Sequence, residues 1–223
     1  MSNQELYKHE LPAGEHEYFE KCRRDLKWVA QLWLHFCSQN VGFDIKGYSR
    51  CDPQDVPSVR GCRVPQDVLY YLIHGNFEGS DEPDIDPRLD CREMSKSAIT
   101  HLRCHAGCYA FYAVLPKILK HDDNFEKVEW ELRDMRPRMV LLMVGEHYSP
   151  CTHEFLVIYT KLGSKIVLDI SSWQFGFGDY IFTYEDYETR FVKTDTKHHY
   201  YAFSCQQAIE QNQHSHDQII EQG

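Results

Sequence analysis

The chain has 223 residues, 42% apolar, 26% charged and 13% aromatic, which excludes intrinsic disorder and suffices for a globular domain with a sizeable core. A formal net charge of −10 argues against nucleic acid and anionic membrane as partners, and no window approaches the ~18 continuous apolar residues of a membrane span. Nine scattered cysteines, behind a polar and acidic start without signal-peptide character, read as reduced thiols of a cytoplasmic protein rather than a disulfide framework.

Along the chain, Phe19, Leu26, Val29, Trp33 and Phe36 recur at three- and four-residue spacing, which predicts an amphipathic helix over 15–40. Residues 43–64, with Gly47, Pro53, Pro57 and Gly61, read as loop. Residues 65–75 predict a short helix with Pro65 in its first turn and Gly75 beyond its end. Residues 76–92 are the most loop-like stretch, rich in Asp and Glu, and suit an acidic flap over a site or a subdomain boundary. Thr100 to Lys120 reads as a helix that Pro116 kinks or breaks. After an acidic connector, the apolar runs 138–145, 153–160 and 164–170 read as strands, with Gly163-Ser164 placed for a hairpin between the last two. A helix over 184–191, a strand over 198–204 and a polar tail from 206 complete the chain. This order predicts an α+β fold with an antiparallel sheet. It divides into an N-terminal helical and loop subdomain (1–94), a core (95–205) and a C-terminal tail (206–223).

The chemistry concentrates in the second of these. In Gly107-Cys108-Tyr109-Ala110-Phe111, a cysteine that opens a helix would lie beside unpaired backbone N–H groups, which favour its thiolate. The bland alternative is a buried helix whose cysteine is core filler. A cysteine nucleophile needs a base and an orienter. His153 opens one predicted strand and Asp169 closes the next, 16 residues later (169 − 153), so a hairpin between them brings the two positions side by side.

Residues 107–114 resemble the nucleophile segment of papain-family cysteine peptidases, in which an aromatic, Ala, Phe, a small residue, Ala and Val follow the cysteine. Tyr112 stands where that family keeps a small residue, and Thr100-His101-Leu102-Arg103 stand where it keeps an oxyanion-binding glutamine. The order of helix cysteine, strand histidine and strand aspartate resembles the transglutaminase-like branch of the same clan, which includes arylamine acetyltransferases, peptide:N-glycanases and bacterial protein deamidases. Residues 170–176, Ile-Ser-Ser-Trp-Gln-Phe-Gly, are similar to the segment after the aspartate in papain-like proteins. The resemblance covers about 95–180. It implies a papain-like or transglutaminase-like fold, a nucleophile helix packed on an antiparallel sheet, and acyl chemistry through a thioester on Cys108. His153 would be the base, Asp169 its orienter, and Gln174 an auxiliary group that donates to an oxyanion or braces the Asp169 carboxylate. The expected substrate is a small-molecule or peptide amide or ester, hydrolysed or passed to an amine, with no cofactor, no nucleic acid and no membrane; the oligomeric state is left open.

Rival readings share these residues. Cys104 is the alternative nucleophile. His147, in the loop before His153, is an alternative base. His101, Cys104, His105 and Cys108 share one helical face at offsets 0, 3, 4 and 7 and are zinc-ligand types, which would suit a non-catalytic, zinc-binding interaction domain.

Overall fold

A computed structural model describes residues 13–40, 45–75 and 91–197. In chain order the elements are α1 (Ala13–Asp25), α2 (Lys27–Gln39), β1 (Ile45–Cys51), β2 (Leu69–Gly75), α3 (Cys91–Thr100), α4 (Cys104–Tyr112), α5 (Leu115–Leu119), β3 (Phe125–Met135), β4 (Met139–Met143), β5 (Thr152–Thr160), β6 (Lys165–Leu168), a 3₁₀ turn (Ser172–Phe175), β7 (Ile181–Thr183), α6 (Tyr184–Phe191) and β8 (Val192–Lys197). The fold is α+β, as expected.

Five strands form an antiparallel sheet in the order β7-β6-β5-β3-β8. Its two faces follow from alternation along β5. Leu156 and Ile158 join Val128 and Trp130 of β3 under the helices α1, α2, α4 and α5, in a core that includes Trp33, Phe111 and Leu115. Phe155 and Val157 face the other way, onto Phe177, Phe182, Tyr187 and Phe191, where α6 lies. A second sheet, in the order β1-β2-β4, pairs β1 with β2 antiparallel and β2 with β4 parallel.

The amphipathic helix over 15–40 is present as two helices that meet at the fully buried Leu26. The helix across Pro116 is broken as expected, with Val114 between α4 and α5 and the proline in the first turn of α5, where its missing N–H costs nothing. Three expectations are corrected. Residues 65–75 contain a strand, because Tyr70, Tyr71 and Ile73 are buried between β1 and β4, and aromatic and β-branched residues suit a covered strand. The 43–64 loop contains β1. The acidic connector contains β3, whose Val128 and Trp130 alternate inward while Glu126, Lys127, Glu129 and Glu131 stay half-buried or exposed. Of the three predicted core strands, β5 and β6 form the expected hairpin, whereas β4 pairs with β2. Residues on both sides of 94/95 therefore share one core: Trp33 of α2 packs with Phe111 of α4, and β2 supplies the recorded partner of β4. The expected flap over 76–92 falls almost wholly, and the 198–204 strand and the tail entirely, outside the described residues. No helix among the described residues is long and apolar enough to cross a membrane.

Candidate active site

β6 stops at Leu168, opposite Leu156, while β5 runs four residues further toward its own start at Thr152. The two strands part there, and the gap holds the site. Asp169 follows β6 directly and is anchored by its backbone N–H, which donates to the Tyr180 carbonyl at 2.8 Å. His153 stands on β5 and is wholly buried. Its Nε2–H donates to Asp169 Oδ1 at 2.8 Å, so the expected histidine–aspartate pair is formed across the hairpin. The carboxylate has two more donors, the Ser171 N–H at 3.2 Å and the Tyr187 hydroxyl at 2.8 Å from α6. Tyr187 was not foreseen; its signal was the apolar spacing Tyr184, Tyr187, Phe191 on the α6 pattern, which marks a buried face but not a hydrogen bond.

The thiol against His153 is Cys104. α4 begins at Cys104 rather than at Cys108, which puts Cys104 in its first turn, where backbone N–H groups lack intrahelical partners. Its side chain hydrogen-bonds His153 and takes a backbone hydrogen bond from Glu154. Burial pushes the Cys104 thiol up, but the bond to His153, the charge of that ring and the Glu154 N–H outweigh it and leave its pKa below the ordinary value of 9.0. Burial lowers the pKa of His153, but the Asp169 charge and hydrogen bond, then Cys104, raise it from 6.5 to about 10. Both shifts favour a thiolate–imidazolium pair.

Cys108, expected as the nucleophile, lies one turn further along α4 with 3% of its surface exposed, among Trp33, Phe111 and Leu168. Burial, with the negative charges of Cys104, Glu154 and Asp169, pushes its thiol well above 9.0. It is core filler. Gly107 beside it does serve close approach, since a Cβ there would stand 3.0 Å from Ile170 and 3.2 Å from Trp33.

Gln174 is in the site, although it braces neither Asp169 nor, in this arrangement, an oxyanion. Its Oε1 accepts from the Leu102 N–H at 3.1 Å, which fixes the orientation of the amide, and its Nε2–H faces His153 Nδ1 at 2.9 Å. Leu102 adopts φ 55°, a left-handed turn between α3 and α4 that aims its N–H at the 3₁₀ turn. Trp173 anchors that turn by accepting from the Ser97 hydroxyl at 2.7 Å, and Trp33 donates to Ser171 Oγ at 3.1 Å.

The four-residue zinc reading is not met, because the side chains are committed in different directions. His101 bonds Glu146 at 3.3 Å, His105 bonds the buried Glu154 at 2.9 Å beside Trp130, Cys104 faces His153, and Cys108 points into the core. Among the described residues, no group of three or more His, Cys, Asp or Glu is arranged to hold a metal ion. His147 lines the cleft, while the imidazole at the sulfur is that of His153.

Cys104 opens into a cavity of about 290 Å³ between the start of α4, strand β4 and the loop that connects β4 to β5. Gln174, Leu102 and Phe175 line it as well. A partly exposed, acidified thiol, a buried histidine–carboxylate pair behind it and a cleft in front can together attack an electrophilic carbon and hold the displaced proton. Compared with known protein families, curated proteins and solved structures, the chain matches none.

Proposed function

We propose that the protein performs cysteine-dependent acyl chemistry on an amide or ester, with Cys104 as nucleophile, His153 as base and Asp169 as orienter. The observation that carries the reading is the Cys104 thiol set against His153, which is itself bonded to Asp169 at 2.8 Å. Asp169 occupies Nε2, so Nδ1 takes the thiol proton, and the Gln174 N–H that faces Nδ1 turns away to admit it. The sulfur then bonds the carbonyl carbon, the C–N or C–O bond breaks, and the leaving amine or alcohol departs with the proton held on His153. Water or an amine next attacks the thioester and returns the proton to sulfur by the same route. The first turn of α4, whose N–H groups lack intrahelical partners, adjoins the cleft from which an oxyanion would be met. The papain-like and transglutaminase-like resemblance supports the same order of parts, moved from Cys108 to Cys104.

Alkylation by iodoacetamide near neutral pH, read by mass spectrometry, tests it. Cys104 should label at least ~10-fold faster than any other cysteine, since the thiolate is the reacting form. Cys104→Ser should remove the fast site together with all activity. Cys108→Ala should keep the fast site at a cost of about 1 kcal/mol in stability. Uniformly slow labelling of all cysteines would instead indicate a non-catalytic module on this scaffold.

A further inference from the structure

The cleft in front of Cys104 has a distinct chemical character. Its floor is apolar, lined by Val140 and Leu142 of β4 together with Phe175 and Pro150. Among the described residues lining it none is Lys or Arg, and its one permanently ionised side chain is Glu146. Lys193, which acts on Cys151 at the rim, is not part of the lining.

Glu146 is held in place rather than loosely exposed. It sits in the tight turn after β4, where its own N–H donates to the Met143 carbonyl at 2.9 Å and its Oε2 accepts the Met143 N–H at 2.8 Å. The same Oε2 takes the His101 bond at 3.3 Å. Both bonds favour the carboxylate, the His101 bond most, and hold its pKa below the ordinary value despite partial burial. Oε1 has no partner among the described residues, and the side chain keeps 28% of its surface open. One oxygen thus positions the group, and the other is left for a donor that enters the cleft.

We propose that this cleft selects substrates that carry a positively charged group on a short apolar stem near the reacting carbonyl, with Glu146 reading the charge and the floor of the cleft holding the stem. The proposal rests on Cys104 being the reactive thiol and adds the substrate class. Anionic substrates, including acyl donors that bear phosphates, find no Lys or Arg among the described lining residues, and Glu146 repels them.

Methanethiosulfonate reagents of three charges test it on the intact chain: aminoethyl (cationic), methyl (neutral) and sulfonatoethyl (anionic). Rates are read at Cys104 by mass spectrometry and expressed within each variant relative to the neutral reagent, which cancels changes in thiol reactivity. The cation-to-anion ratio at Cys104 should fall about tenfold in Glu146→Gln and persist in Glu146→Asp. In Glu20→Gln, which removes one charge from distant α1, it should stay unchanged, separating a local effect from the net charge. An unchanged ratio in Glu146→Gln, or an equal fall in Glu20→Gln, overturns the proposal while leaving Cys104 as nucleophile. Failure of the neutral reagent to prefer Cys104 overturns the nucleophile assignment instead, and the substrate class falls with it.

Discussion

At the scale of single residues, two opposed shifts define a pH window. The reactive form has Cys104 deprotonated and His153 protonated. Burial disfavours that thiolate, but the His153 bond and charge win and depress the thiol below 9.0, so the form is lost as pH falls through the lowered value. His153, which Asp169 raises against burial from 6.5 to about 10, loses its proton only above that value. Labelling of Cys104 should therefore hold a plateau through neutral pH and decline on the acid side. Its alkaline end should change near pH 10, as the imidazolium partner is lost. Asp169→Asn removes the main influence that raises the ring, so the histidine returns toward 6.5, the thiol climbs back toward 9.0, and labelling at pH 7 should drop about tenfold. A profile that is identical in Asp169→Asn would show that the carboxylate only packs.

At the scale of elements, the placement of α4 against the sheet depends on Gly107. A methyl group there meets Ile170 at 3.0 Å and Trp33 at 3.2 Å. Alanine gains about 1 kcal/mol in helix propensity, but overpacking costs about 1–3 kcal/mol, and Trp33 is pinned by its bond to Ser171. Gly107→Ala should lower the melting temperature by about 2–4 °C, a net loss near 1 kcal/mol, and should slow Cys104 labelling by tilting the first turn of α4. Elements with one dominant period were legible in the sequence. The β5–β6 hairpin announced itself through runs of Val and Ile bounded by Gly163, and it brought His153 and Asp169 together. Strand β3 did not, because its charged residues mask a clean alternation of Val128, Trp130 and Leu132. Strand β2 did not either, since Leu69 to Ile73 is too short to separate a covered strand from a buried helix by periodicity. The choice between Cys104 and Cys108 turned on where α4 begins. That start follows the left-handed Leu102, whose N–H donates to the Gln174 side chain 72 residues away, a contact that no local pattern encodes.

At the scale of the molecule, the three-stranded sheet depends on the parallel pairing of β2 with β4, five residues long. The sequence-based boundary at 94/95 would cut this pairing and remove α1 and α2 from the core that holds Phe111 and Trp130. A fragment spanning 95–205 leaves Tyr112, Leu115 and Leu156 without the Trp33 layer and β4 without a strand beside it. It should show no cooperative thermal transition, whereas the whole chain should melt with one, followed by circular dichroism. A folded fragment with a sharp transition would support the division at 94/95.

The early end of β6 has a consequence for how the Cys104 thiol is tuned. On β5 the even-numbered residues send their N–H groups to the β6 side, as Thr160 does to Ser164 at 3.0 Å. At Glu154 the next strand is gone, and the backbone bond from Glu154 goes to the sulfur of Cys104 instead. The thiol thus stands in for a missing peptide carbonyl and acts as the last rung of the ladder. Side-chain replacement at 154 leaves that rung in place, because the donor is main chain. Part of the acidity of Cys104 is therefore inherited from strand length, a property that point substitution alters only by shifting the ladder itself.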